Sequence, residues 1–313
     1  MRKVIAIGET ILDIIFRNGT PEKAVPGGSS FNCIVSAGRA GLPACFIGEV
    51  GQDAVGEQIT RFLRDNRVDD RYLKMIPEIQ TAISLAFLDG QGDAHYTFYK
   101  QPPKRLHLDG GAEIAPDDVM QFGSYYAINP DTRAEVRAYL AEARHRGAIL
   151  FYDINFRRSH LNELPALLPA ICENYSLAHV VRGSADDFDI MYSTRDVEYI
   201  YRTHIAPYCP NFICTQGADG ITLCTPALIQ HYEVPALQAV STIGAGDNFN
   251  AGFIYGLMRY GVRRADMEHL DAPTWARLID CGRIFSANVC QSWNNYIDED
   301  LGERMAQALP SPR

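Results

Sequence analysis

Short apolar runs, each ended by a glycine or a polar group, alternate along this chain with amphipathic stretches of helical period. The runs are Val4-Ile5-Ala6-Ile7, Cys45-Phe46-Ile47-Gly48, Tyr125-Tyr126-Ala127-Ile128, Ala148-Ile149-Leu150-Phe151-Tyr152, His179-Val180-Val181-Arg182 and Phe212-Ile213-Cys214-Thr215. Continuous apolarity of this kind marks parallel strands buried on both faces. Between them, helical patterns run from Cys33 to Ala40, from about Asp53 to Leu63, from Thr132 to Arg146 and from Thr274 to Val289. This order predicts an α/β fold: a doubly wound, mostly parallel sheet in an α/β/α sandwich. Thr81 to Tyr99 breaks the rhythm with two β-rich runs around Asp89-Gly90-Gln91-Gly92-Asp93, a hairpin suited to a flap or a dimer edge. Ile221 to Cys224 is expected to pair back on the strand before it.

The 313 residues, 47% of them hydrophobic, suffice for a large core, and no linker divides them, so a single domain over 1–313 is expected. A net charge of −9 with no basic run argues against nucleic-acid or anionic-membrane partners. The eight cysteines contain no CxxC pair, the eight histidines show no metal-ligand spacing, and Met1-Arg2-Lys3 leads straight into a strand. A reduced, cytoplasmic protein without structural zinc is expected.

Open parallel sheets place ligands at the carboxyl ends of their strands, so the residues that end the runs are the first site candidates. Asp13 follows the first strand, as either a turn residue or an acceptor for substrate hydroxyls. Gly27-Gly28 precedes a helix whose first turn carries Asn32, and is either a plain loop with a serine cap or a close approach to a ligand. Asp53 reads as a helix cap. Lys100, ending the hairpin, is either solvated or within reach of an acidic substrate group. Asp153, Asn155 and Arg157 fall on one side of an extended segment, a polar cluster or an Asp153–Arg157 salt bridge. Ser184-Ala185-Asp186-Asp187 either caps a helix or sits near a metal. In Ser241-Thr242-Ile243-Gly244-Ala245-Gly246-Asp247 a glycine-rich turn opens a helix, so free N–H groups form an anion hole. Asp247 is there either as a cap or as a base for a group that attacks a phosphate.

In order and spacing, from Val4 to about Val289, the chain resembles PfkB-type carbohydrate kinases of the ribokinase-like fold, through Gly27-Gly28 with Asn32 and Thr242-x-Gly244-Ala245-Gly246-Asp247. The resemblance implies an ATP-dependent sugar kinase with Mg²⁺, and a lid from segments near 12–20 and 80–104 that doubles as a homodimer interface. It assigns Asp247 as general base and Gly244, Ala245 and Gly246 as the anion hole. Asp13, Gly28, Asn32 and Arg157 become sugar-binding positions, with Arg157 near the phosphates as well. Thr215, Gly217 and Gly220 become the nucleotide turn, and Asn288 falls at the adenine pocket. Ser241 stands where relatives carry Asp, and Gln291 to Asn295 lacks their cation-loop pattern, so independence from K⁺ is expected. Ser184 and Asp187 stand where relatives carry Asn and Glu, leaving Asp187 to reach the metal through water. Lys100 in place of Arg removes a bidentate fork for a carboxylate, which favours a ketohexose such as fructose over 2-keto-3-deoxygluconate, with a nucleoside third. The reading from another class is a non-catalytic sugar or nucleotide sensor.

Overall fold

In the computed structural model, which describes residues 2–88, 94–101, 104–108 and 111–308, the apolar runs assemble into two sheets. The strands are β1 (Val4–Ile7), β2 (Ile11–Arg17), β3 (Thr20–Gly27), β4 (Ala44–Gly51), β5 (Val68–Asp69), β6 (Leu73–Ile76) and β7 (Ile83–Leu88). They continue as β8 (Ala94–Tyr99), β9 (Val119–Gly123), β10 (Ile149–Asp153), β11 (Val180–Ser184), β12 (Phe212–Thr215), β13 (Ile221–Cys224) and β14 (Ile229–Tyr232). The helices are α1 (Ser29–Arg39), α2 (Ala54–Asp65), α3 (Arg133–His145), α4 (Leu164–Leu177) and α5 (Ala185–Tyr192). After them come α6 (Val197–Ile200), α7 (Ala245–Arg259), α8 (Ala272–Val289) and α9 (Glu299–Ala308).

The large sheet runs β14-β13-β12-β11-β10-β9-β1-β4-β5, with β6 also on β4. All of its pairs are parallel except β12–β13 and β13–β14. From β1 the chain winds outward through β4, and from β9 it winds the other way through β10 to β12, so the winding reverses between β1 and β9. A crevice opens at such a point, beyond the carboxyl ends of the strands. Successive residues of one strand feed opposite cores, which is why the strands are apolar throughout. Ile149 and Phe151 pack with Phe31, Phe253 and Phe285 of α1, α7 and α8, whereas Leu150 and Tyr152 pack with Leu140, Tyr175 and Phe188 of α3, α4 and α5. The result is the expected three-layer sandwich.

The second sheet has the order β3-β2-β7-β8 and forms the lid. β2 pairs antiparallel with β3 and parallel with β7, and β7 with β8 forms the expected hairpin. Its turn at Asp89 to Asp93 lies outside the described residues. The first two lid strands lie within 11–27, and Pro21 and Pro26 are tolerated on β3 because it has a partner on one side only. Tyr125 to Ile128 is not the strand expected from its apolar run. Tyr125–Ala127 is a 3₁₀ turn, and the strand beside β1 is Val119–Gly123, buried along its whole length. Gln121 interrupts its apolar pattern while being 0% exposed, so the sequence pattern fails at that strand.

Candidate active site

The site is built around the first turn of α7. Gly244 caps the helix with φ of +76°, the left-handed region that glycine enters without steric cost. The amide of Ala245 donates to Thr242 O at 3.2 Å, and that of Asn248 to Gly244 O at 2.9 Å. The amides of Gly246 and Asp247 lie in the first turn, where a helix supplies no acceptor. Asn248 fixes the turn from behind, donating 2.8 Å bonds from Nδ2 to Gly244 O and to Asn295 O, while its Oδ1 accepts from Ser36. Gly246 has a further reason to be glycine: a Cβ there would lie 2.7 Å from Nη2 of Arg182.

Asp247 projects toward α1. Its Oδ1 accepts from Ser29 Oγ at 2.6 Å and its Oδ2 from Asn32 Nδ2 at 2.8 Å. Desolvation by burial, then the nearby charge of Asp153, pushes its pKa up to about 6, against the pull of these two bonds and of Arg157. Asp153, wholly buried at the end of β10, accepts from Arg182 Nη1 at 2.9 Å and from Asn250 Nδ2 at 2.8 Å. The Asp153–Arg157 salt bridge considered from the sequence is therefore not the pair that forms. Arg157 is exposed, and Asn155 donates to Ser124 Oγ at 2.7 Å.

A cleft of about 110 Å³ lies between the lid and the α7 turn, lined on the lid side by Asp13, Ile15, Arg17, Lys23 and Ala86, and opposite by Ser241, Ile243, Trp293 and Asn295. Asp13 accepts a hydrogen bond from Ser84, its register partner across β2 and β7. Burial raises its pKa, and the Ser84 bond partly offsets this. Lys23 crosses the cleft mouth to Trp293 O at 3.0 Å. Gly28 caps α1 with φ of +125° and packs against Glu9 O. Lys100 is outside the cleft lining and pairs with Glu9 at 3.2 Å.

On the other side, Thr215 ends β12 and its Oγ1 accepts from Arg182 Nη2 at 2.5 Å, so it is one guanidinium away from Gly246. Gly217 and Gly220 form the turn that follows, with φ of +61° and +102°. Asn288 is occupied elsewhere: its Nδ2 donates to Asp298 Oδ2 at 2.5 Å and its Oδ1 accepts from Asp298 N at 2.9 Å, which ties the end of α8 to the segment before α9. Asp187 is 6% exposed and forms a capping box with Ser184, accepting from the Ser184 amide at 2.6 Å and hydroxyl at 2.8 Å. Among the described residues no group of three or more His, Cys, Asp or Glu could hold a metal ion by itself, and no helix is long and apolar enough to cross a membrane.

The sequence-predicted Asp247, Asn32, Gly244, Ala245 and Gly246 thus converge, with Asp13 across the cleft and Thr215 behind Arg182. Ser29, Asn250 and Arg182 were missed. One signal was available: an arginine inside an apolar parallel strand, in register with the aspartate that ends the neighbouring strand.

The proteins this chain resembles include the following. Aminoimidazole riboside kinase of Salmonella typhimurium is 27% identical over 311 residues, covering 93% of this chain and 88% of that protein. A fructokinase of the same species is 26% identical over 285 residues, covering 90% and 92%. The fructokinase of Vibrio cholerae O395, crystallised with fructose, ADP and calcium, superposes with a TM-score of 0.84 at 23% identity, covering 98% of this chain and 99% of the other. The model of the pfkB family of carbohydrate kinases matches residues 1–271, and the chain belongs to that family.

Proposed function

We propose that this protein transfers the γ-phosphoryl group of ATP to a hydroxyl of a small neutral carbohydrate, with a ketohexose such as fructose as the preferred acceptor. The observation that carries this reading is Asp247, a carboxylate with a pKa near 6 held by Ser29 and Asn32 in the first turn of α7. A base tuned to that range is ionised at neutral pH and still takes a proton from a hydroxyl as it attacks. The acceptor oxygen bonds to the γ-phosphorus, its proton passes to Asp247, and the bond to the β,γ-bridging oxygen breaks, leaving ADP with the electron pair. The free amides of the α7 turn lie where negative charge gathers on the transferred group. Asp13 accepts from sugar hydroxyls, Gly28, packed against Glu9 O, sets the start of α1 beside the sugar, and Arg157 serves both sugar and phosphates. Thr215, Gly217 and Gly220 form the nucleotide turn. Asn288, both ends of its amide engaged by Asp298, shapes the adenine side through that link.

The residues fit an Mg²⁺ ion carried by the nucleotide. Such an ion keeps most of its waters and needs only one or two carboxylates beside the phosphates. Asp187, with Oδ2 committed to Ser184, would serve it through water. When bound, the ion neutralises charge on the phosphates.

Two observations favour a neutral sugar. The Lys100–Glu9 pair leaves no net positive charge at the end of the hairpin to recognise a sugar acid. Relatives and a fructose-bound structural neighbour carry the fructokinase name. The riboside kinase at 27% identity makes a riboside the second acceptor to test. The lid carries Phe87, Phe98 and Tyr99 at 40%, 57% and 56% exposure, an apolar surface that a homodimer through the lid would cover. The eight cysteines are all free thiols, in keeping with a reducing cytoplasm.

The test is ATP consumption with Mg²⁺ over fructose, ribose, 2-keto-3-deoxygluconate, adenosine and aminoimidazole riboside, each run with Asp247→Asn alongside. Turnover of fructose that disappears in the variant is the expected result. Saturable ligand binding with no turnover on any acceptor would move the protein to the sensor class.

A further inference from the structure

Arg182 lies outside every role assigned above. It is 5% exposed inside a parallel strand, where an unpaired cation would cost several kcal/mol. Its two terminal nitrogens are spent in different directions, Nη1 on Asp153 at the end of β10 and Nη2 on Thr215 at the end of β12. The edge between them is turned to Gly246, where a Cβ would be 2.7 Å from Nη2, 2.9 Å from Nη1 and 3.2 Å from Cζ. One planar group therefore touches three elements that the chain brings together from positions 153, 215 and 246.

We propose that Arg182 is a positioning residue for phosphoryl transfer: its guanidinium clamps the ends of β10 and β12 and props the anion turn at Gly246 against the transferred group. The inference rests on the kinase reading above. A guanidinium suits the task because its rigid fork aims two nitrogens at Asp153 and Thr215 while the edge between them abuts Gly246, whereas a lysine would supply only a point charge on a flexible stem. Arg182 also balances the carboxylate of Asp153, which shares the Ser29 hydroxyl with Asp247 at 3.4 and 2.6 Å. Removing Arg182 releases the turn and leaves Asp153 uncompensated beside the base. The charged and titratable groups facing Asp247 are Asp153 and Arg157 from β10 and the segment after it, Arg182 from β11, and the Cys33 thiol from α1. Arg182 does not line the sugar cleft, so the sugar should be held equally well without it.

The experiment compares kcat and KM of Arg182→Met and Arg182→Lys with the wild type, on whichever sugar the wild type turns over, with and without millimolar guanidinium chloride. A 1 Å misplacement of reacting groups costs about 100-fold in rate, and a loss of about that size in kcat is expected for Arg182→Met, with sugar KM nearly unchanged. Arg182→Lys should recover part of the rate, and added guanidinium should raise kcat of the methionine variant without raising its melting temperature. A folded Arg182→Met with wild-type kcat, or a loss seen only in sugar KM, overturns the proposal. If the methionine variant does not fold, Arg182→Lys decides: wild-type kcat there overturns the clamp, because the charge is kept and only the fork is lost. Failure of the wild type to phosphorylate any sugar would count against the kinase reading instead, and is seen before a variant is made.

Discussion

Asp247→Asn should make a more stable protein and a nearly dead enzyme, and the two effects should differ in their dependence on pH. An aspartate that titrates near 6 in the fold against an ordinary 3.8 carries an ionisation cost of about 3 kcal/mol at neutral pH, since each pH unit of separation is worth about 1.4 kcal/mol. The sign follows from proton counting. Below pH 3.8 the carboxyl is protonated in both states and costs nothing; between 3.8 and 6 the folded state keeps a proton that the unfolded state has lost, and stability falls as pH rises; above 6 the whole cost is present. Asparagine removes it. Asn32 can still donate to the new amide oxygen, and the Ser29 hydroxyl can turn to accept from the new NH₂. The partial exposure of Asp247 makes about 3 kcal/mol an upper bound. For a chain of 313 residues this corresponds to a rise in Tm of about 4 to 5 °C at pH 7.5. At pH 5 about half of the gain should remain. Turnover should fall by about 10² to 10⁴, the range for a lost general base. Urea unfolding at pH 7.5 and 5, with an ATP-coupled assay on the same preparations, measures both. A variant no more stable than wild type at pH 7.5, or a gain equal at the two pH values, would refute the burial argument, and retained turnover would refute the base.

Gly246→Ala puts a methyl group against the Arg182 guanidinium and should lower kcat by about 100-fold through displacement of the turn, with steady-state kinetics expected to show sugar KM unchanged. Replacing K⁺ with tetramethylammonium should leave turnover unchanged, because Ser241 spends its hydroxyl on the Ile243 amide at 3.2 Å and brings no carboxylate to the cation position; strong K⁺ activation would refute this. Sedimentation analysis should find a dimer that Tyr99→Asp, on the exposed lid, converts to monomer. Asp53 accepts from the Gly56 amide, the Thr81 amide and the Thr81 hydroxyl, each at 2.8 Å, so Asp53→Ala should cost about 2 kcal/mol in urea unfolding while kcat stays at the wild-type value.

Interactions local in sequence were the legible ones. β1, β10 and β12 announce themselves because a strand covered on both faces must be apolar throughout, and the Asp53 cap because its acceptor and the Gly56 amide are three residues apart. The lid strands β2 and β3 were harder. They are half-exposed, so their residues follow neither a continuous apolar run nor a clean alternation. The Gly-Ala-Gly-Asp turn was legible as a glycine-rich helix start, but the partners that hold Asp247 were not, since its two donors lie 218 and 215 residues away. Arg182 is the sharpest case. In sequence it closes an apolar run, and only the parallel register of β10 on β11 sets it beside Asp153.

That register also explains why the first turn of α7 can hold a base at all. A carboxylate at a helix N-terminus is favoured by the dipole and would ordinarily titrate below its usual range, too acidic to take a proton from a sugar hydroxyl. Burial between α1 and the sheet works the other way, and so does the charge of Asp153. Asp153 is held in place there by Arg182 and Asn250. Burial and Asp153 on one side, and the helix terminus on the other, therefore pull the same carboxylate in opposite directions. Their balance, near 6, leaves Asp247 both charged and basic at neutral pH, so losing Asp153 should cost turnover as well as the several kcal/mol of stability that an unpaired buried Arg182 implies.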